Sequence, residues 1–259
     1  MLVKTFSAAV FGIDAVTVTI EVDVTRGVRY MLVGLPDAAV KESQQRIESA
    51  LRAVGLHWPG RQVIINMAPA DIRKEGASYD LPLAVGILVA SGMISGARLE
   101  GLLLTGELSL DGTLRPVRGV LPMALQAREV GFREMIVPAS NAPEAAVVEG
   151  LDVYGVNSLT DVLAFLRGDS SAGPLRIDLN ALFNREGNTY DADFSDVRGQ
   201  ENVRRALEVA VAGSHNAVLL GPPGSGKTMM ARRLTGILPP LTLEEALETT
   251  KIHFHLTYL

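Results

Sequence analysis

Alternating apolar and polar residues in the first third of the chain predict strands and one amphipathic helix. Residues 16–24 alternate valine or isoleucine with threonine, glutamate or aspartate, a pattern typical of a half-buried strand. A second strand is predicted over 29–33. Beyond Asp37, which can cap a helix, apolar residues recur at helical spacing until Gly55 ends the pattern.

Strands and helices then alternate as far as residue 166, which predicts an α/β domain. Apolar runs predict strands at 61–67, 102–110, 114–116, 135–138 and 153–156 and helices from 81 and at 120–130, 141–148 and 158–166. Asp111-Gly112 predicts a hairpin turn. The polar loop 68–80 is long for a compact domain, and loops of that length are usually functional.

A stretch rich in serine, glycine and proline after residue 168 predicts a domain boundary. We expect an N-terminal domain at 1–168, a linker at 169–192 and a second module at 193–259. A helix is predicted over 201–213 in that module. The apolar run 217–220 is predicted to be a short buried strand, followed by a helix near 229–234.

A phosphate-binding P-loop follows the predicted strand. The motif G-x-x-x-x-G-K-[ST] is matched by Gly221, Pro222, Pro223, Gly224, Ser225, Gly226, Lys227 and Thr228. Its glycines permit backbone angles that bring main-chain amides close to an anion. Lys227 can reach the β- and γ-phosphates, and the Thr228 hydroxyl can ligate Mg²⁺. The motif therefore predicts a nucleotide bound together with Mg²⁺.

Composition narrows the class of protein. Hydrophobic residues make up 47% of the 259 residues, enough for a sizeable core, and the formal net charge of −5 gives no global argument for nucleic-acid binding. Absence of cysteine excludes disulfides and cysteine-based zinc sites. No apolar run is long enough to span a membrane and no signal-peptide pattern is present, so we expect a cytoplasmic protein.

The whole chain up to about His253 resembles the ComM/YifB family of Mg-chelatase-like AAA+ ATPases. The resemblance rests on the P-loop and on Gly34-Leu35-Pro36-Asp37, Asn66-Met67-Ala68-Pro69-Ala70-Asp71, Tyr79-Asp80-Leu81-Pro82, Leu104-Thr105-Gly106-Glu107-Leu108 and Ile237-Leu238-Pro239-Pro240-Leu241. It implies a Lon-protease-like α/β domain followed by a P-loop motor that uses ATP and Mg²⁺ and forms hexamers in full-length relatives. Some members act on branched DNA during natural transformation. The resemblance also places Val197, Gly199 and Gln200 near the adenine.

Two departures from that pattern change the expected chemistry. Lon-type proteases use a serine and a lysine; Ser78 stands at the serine position, but Leu121 stands at the lysine position and cannot take a proton. We therefore expect Ser78 to be a vestigial peptidase position, Ser78 being a loop serine and Asp80 a helix cap. The Walker B acids, sensors and arginine finger are absent, so we expect a truncated, incomplete module that cannot hydrolyse ATP alone.

Three readings of function stay open at this point. The first is an ATP-binding motor fragment, a metal-chelatase subunit being a rival label within that class. The second is a non-catalytic docking or oligomerisation module. The third and weakest is a Lon-like serine peptidase. Glu244-Glu245 are excluded as a Walker B pair because they lie in a helical pattern with no buried strand before them.

Overall fold

The computed structural model describes residues 1–169, 173–178, 193–239 and 241–257. The chain divides into two compact units. The first comprises Met1–Ile177 with Thr250–Leu259, and the second comprises Asp178–Thr249.

The described residues of the first unit form nine strands, seven of which make up one sheet. The strands are β1 (Leu2–Phe11), β2 (Asp14–Thr25), β3 (Tyr30–Val33), β4 (Gln62–Ala68), β5 (Leu102–Leu104), β6 (Glu107–Leu108), β7 (Leu114–Arg115), β8 (Glu134–Pro138) and β9 (Asp152–Val156). The main sheet has the order β3-β4-β2-β1-β5-β8-β9, and β6 and β7 form a separate hairpin. The pairs β1–β2 and β2–β4 are antiparallel, and the other four pairs of the main sheet are parallel.

Helices connect and cover these strands. They are α1 (Ala38–Lys41), α2 (Ser43–Ala53), α3 (Asp80–Ala90), α4 (Val120–Val130), α5 (Ala142–Ala145) and α6 (Leu159–Arg167). The helix predicted after Asp37 is therefore two helices. Asp37 does cap the first of them, since its Oδ1 accepts a hydrogen bond of 2.8 Å from the Val40 amide.

The core of the first unit lies between the sheet and α3. Alternation along β2 buries Val18, Ile20 and Val22 on one face, as the sequence predicts. Helix α3 is buried at every position, and Thr5 Oγ1 on β1 donates to the Pro82 carbonyl at 3.1 Å. A mixed sheet with helices packed on it confirms the α/β class.

The end of the first unit runs beyond the predicted domain limit. Leu175 pairs with Val153, its amide donating to the Val153 carbonyl at 2.8 Å, and Arg176 forms an ion pair of 2.6 Å with Asp152. These residues extend the contacts of β9. The predicted linker 169–192 lies mostly outside the described residues, so the limits of the two domains stay a prediction.

The second unit contains α7 (Glu201–Ala212), α8 (Lys227–Arg233) and the beginning of α9 (Leu243–Thr257). Its small apolar cluster consists of Phe194, Val197, Leu207 and Met230. The buried strand predicted at 217–220 is wrong: these residues form no strand, and Val218 and Leu220 are 81% and 91% exposed. A parallel strand needs neighbouring strands for its backbone groups, and the described residues of this unit supply none.

Candidate functional site

The P-loop of the second unit turns into α8 through two glycines. Gly224 and Gly226 have φ values of +81° and +83°, in the left-handed region that side chains disfavour. Gly226 is the residue before α8 and has no side chain to cap it. The first amides of the helix are therefore left to an external acceptor, as a phosphate site requires.

The Lys227 side chain is hydrogen-bonded to residues of its own P-loop. Its ammonium donates to the carbonyls of Gly221 and Pro222, both at 2.8 Å, and to Ser225 Oγ at 3.3 Å. The neighbouring Thr228 is exposed at the start of α8. The residues fit a Mg²⁺-nucleotide, because a phosphate entering the loop would replace carbonyl partners of Lys227 by charged ones and leave the threonine hydroxyl for the metal.

Gln200 connects the segment predicted to lie near adenine to the P-loop by a hydrogen bond. Gln200 Nε2 donates to the Ser225 carbonyl at 3.1 Å, and Gln200 and Gly199 both have positive φ values. The Val197 side chain instead belongs to the apolar cluster and is 2% exposed. Contact of these residues with adenine stays a prediction.

Two arginines brace this segment. The Arg204 guanidinium lies 5.9 Å from the centre of the Phe194 ring and donates to the Val197 carbonyl at 3.4 Å. Arg233 on α8 forms an ion pair of 3.5 Å with Asp196. Both side chains thus connect the 194–197 segment to helices of the same unit.

Glu245 caps a helix. Its carboxylate accepts from the amide and hydroxyl of Thr242, at 2.8 and 2.9 Å, and these bonds lower its pKa. A Walker B acid follows a buried strand, and the described residues after the P-loop form no strand. This geometry agrees with excluding Glu244-Glu245 as the acids of a hydrolytic site.

Ser78 of the first unit lines a cleft of about 1130 Å³. Its hydroxyl makes no hydrogen bond within the described part of the chain. Leu121, predicted to stand at the position of the dyad lysine, is 1% exposed, and its amide donates to Glu144 Oε1 at 2.9 Å. Lys74, four residues before Ser78, has its pKa lowered by burial and donates to the carbonyls of Pro69 and Ile72.

Asp80 has a role that the sequence did not reveal. The expected helix cap is wrong, since Asp80 is the first residue of α3 and makes no capping bond there. Its carboxylate is buried and accepts from Arg46 Nε at 2.7 Å and Nη2 at 2.9 Å, and from the Leu108 amide at 3.2 Å. Burial raises the pKa of Asp80, and the bond from Arg46 offsets part of the rise.

Comparison with known proteins connects both units to one family. The family model described as subunit ChlI of Mg-chelatase matches residues 20–141, and the model for magnesium chelatase, subunit ChlI, matches residues 193–257. Competence protein ComM of Haemophilus influenzae is 43% identical over 251 residues, 95% of this chain and 48% of that protein. This chain belongs to the ComM/YifB family. YifB of Escherichia coli is 40% identical over 94% of the chain and 47% of its own length.

This member of the ComM/YifB family spans about half the length of the curated relatives that it matches. An uncharacterized protein of Mycobacterium tuberculosis is 46% identical over 96% of the chain and 49% of its own length. Two further proteins are similar to a shorter part of this chain. Lon protease 2 of Bacillus subtilis is 27% identical over 54% of the chain, and DNA repair protein RadA of E. coli is 32% identical over 42% of the chain. No helix among the described residues is long and apolar enough to cross a membrane.

Proposed function

We propose that this chain binds ATP with Mg²⁺ through residues 221–228 and does not hydrolyse it on its own. The observation that carries the proposal is the contact of Lys227 with the Gly221 and Pro222 carbonyls, which keeps its ammonium at the loop. Lys227 would bind the β- and γ-phosphates, and Thr228 would ligate the ion. Val197, Gly199 and Gln200 would adjoin the adenine.

Lack of turnover follows from the groups that hydrolysis needs. A bound Mg²⁺ must also be held by the Walker B carboxylate, which lies at the end of a strand. A water molecule must in addition be positioned to attack the γ-phosphate. Residues 229–239 and 241–257 form helices and a short turn without a strand, and Glu245 is used at a helix start. Binding without turnover is the outcome that these residues support.

At the level of the whole protein, the proposed role is ATP-driven remodelling of branched DNA by a cytoplasmic hexamer. Support comes from the similarity to competence protein ComM and to DNA repair protein RadA. In such a protein the P-loop would couple ATP binding to movement along DNA. A metal-chelatase role would have to rest on the family models alone.

Binding and turnover can be separated in one assay series. A fluorescent ATP analogue titrated into the 259-residue chain should bind with Mg²⁺ and more weakly with EDTA, because the ion shields phosphate charge. Phosphate release should stay at the level of buffer. Strong release that Lys227→Ala abolishes would contradict the absence of turnover, and equal binding with and without Mg²⁺ would contradict the assigned role of Thr228.

The DNA role is tested on full-length ComM. Branch migration of a synthetic four-way DNA junction should require ATP and be lost when the P-loop lysine is replaced by alanine. Junction processing that continues without ATP would contradict the motor reading.

A further inference from the structure

The cleft that contains Ser78 takes no part in nucleotide binding and lies wholly in the first unit. Its walls are the end of the β1–β2 hairpin, the loop 71–79 and the segment 116–118. Its volume of about 1130 Å³ exceeds the range of about 300–1,000 Å³ that is usual for small-molecule pockets. A groove of this size can take several residues of a polypeptide.

One wall of the cleft is an unpaired strand edge. β1 pairs with β2 over ten residues but with β5 at Phe6 alone, because β5 ends at Leu104. Phe11 and Asp14 close a two-residue turn, so they form a hydrogen-bonded pair. Main-chain groups alternate in direction along a strand, so those of Val10 point away from β2, towards the side where β5 has stopped.

Val10 is also accessible, being 42% exposed, and its main-chain groups make no hydrogen bond with the described residues. Ala8, which points the same way, is buried. The open edge is therefore short and centred on Val10. Extended peptides bind proteins by adding a strand to an edge of this kind.

The described lining of the cleft carries four carboxylates and two arginines, Arg73 and Arg118, so the excess of negative charge favours a basic peptide. Two of its carboxylates are already used: Asp37 accepts from the Val40 and Gly76 amides, and Glu75 forms an ion pair with Arg73. Asp71 is exposed and forms no hydrogen bond and no ion pair within 4 Å among the described residues, although its charge acts on the pKa of Lys74, raising it against the effect of burial. Glu107 is 3.9 Å from Arg115, a long ion-pair distance.

Apolar contact area lies beside these carboxylates. Phe11, at the end of β1, is 76% exposed, and Val10 next to it lines the same cleft. An alternating peptide places apolar side chains on one face and charged side chains on the other. Valines on the face that Val10 occupies, with lysines reaching Asp71 and Glu107, would match this lining, whereas Phe11 points to the opposite face of β1.

We propose that the cleft binds an extended, basic peptide segment that pairs with the Val10 edge of β1 and places lysine or arginine side chains against Asp71 and Glu107. The segment is bound and not cut, because Ser78 lines the same cleft without a base and Leu121 replaces the dyad lysine. Nucleotide is not required, so this proposal stands or fails independently of the P-loop.

The probe is the capped peptide Thr-Val-Lys-Val-Lys-Val-Thr, titrated into the ¹⁵N-labelled 259-residue chain without nucleotide. Amide signals of residues 9–12 and 71–78 should shift together and saturate. The same peptide with aspartate for lysine should bind about tenfold more weakly, because it places like charges at Asp71 and Glu107. A peptide N-methylated at alternate residues should also lose about tenfold, as expected for two lost hydrogen bonds.

Variants of the protein test the strand pairing and the charge preference independently of changes to the peptide. Val10→Pro removes an amide that β2 does not use and should weaken the peptide about tenfold or more. Asp71→Asn with Glu107→Gln should abolish the preference for lysine over aspartate. The matched control, Glu100→Gln with Glu129→Gln, removes two exposed carboxylates outside the cleft and should preserve that preference. If Val10→Pro does not fold, the N-methylated peptide tests the same bond on the unaltered chain.

Several results would overturn the proposal. Shifts that are absent from 9–12 and 71–78, or that centre on another surface, would show that the cleft is not the site. Equal affinity of the N-methylated peptide would refute strand addition, and equal affinity of the aspartate peptide would refute the charge preference. A DNA oligonucleotide that produces the same shifts would show that the cleft serves nucleic acid.

Discussion

Replacing Asp80 by asparagine tests whether the buried pair with Arg46 stabilises the first unit. The Asp80 side chain is 1% exposed and that of Arg46 is 20% exposed. Asp80 receives two hydrogen bonds from Arg46 and one from Leu108, while Arg46 Nη2 also donates to the Ala39 carbonyl. One carboxylate therefore connects α1, α2, α3 and β6.

The expected cost follows from leaving the guanidinium without its counter-charge. Removing one partner of a buried pair costs about 3–5 kcal/mol, and asparagine keeps the shape and one acceptor, so we expect about 3 kcal/mol. At about 2–4 °C per kcal/mol, the melting temperature should fall by about 6–12 °C. Arg46→Met combined with Asp80→Leu should cost less than Asp80→Asn alone, since no unpaired charge remains.

The assay is urea unfolding followed by the fluorescence of Trp58, the single tryptophan, whose ring lies 5.7 Å from that of Tyr30 in the first unit. Glu48→Gln is the matched control, because it breaks the exposed pair of 3.3 Å with Arg52 on the same helix and should cost less than about 0.5 kcal/mol. A cost of Asp80→Asn below about 1 kcal/mol, or equal to the control, would refute the reasoning.

Two further predictions concern the backbone and the vestigial dyad. Gly34→Ala should cost about 3 kcal/mol or more in the same unfolding assay, because φ is +102° and a Cβ would lie 2.1 Å from the Met67 carbonyl oxygen. Gly55→Ala, with φ of +77° and open space around its Cβ, should cost only about 1–2 kcal/mol; equal costs would contradict the clash. Casein incubated with the chain should stay intact, and cleavage that Ser78→Ala abolishes would contradict the loss of the dyad.

Local signals were sufficient for most elements of the first unit. Helix α4 begins at Val120 and ends at Val130 as predicted, because the apolar spacing and Gly131 both act within the segment. Asp80 was misread because its partner, Arg46, is 34 residues away in the sequence. The residues around Asp80 give no sign of this distant partner. The local sequence is therefore the same whether Asp80 forms a buried ion pair or caps a helix.

In the second unit, a local sequence that favours a strand does not form one. Residues 217–220 have the composition of a strand, but a strand exists only where neighbours accept its backbone bonds. The P-loop motif is local, since Lys227 bonds to the Gly221 carbonyl six residues before it, although Gln200 reaches the Ser225 carbonyl from 25 residues away. Its residues could therefore be predicted from the sequence, whereas the bracing by Arg204 and Arg233 needed the structure.

Isothermal titration of the 259-residue chain with Mg²⁺-ATP tests the central claim most directly. The account predicts one saturable site, lost in Lys227→Ala and kept in Arg205→Ala, which removes an exposed cation of the same unit that pairs with Glu208. Binding that Lys227→Ala leaves unchanged, or no binding by the unaltered chain, would contradict the assignment of residues 221–228 as the nucleotide site.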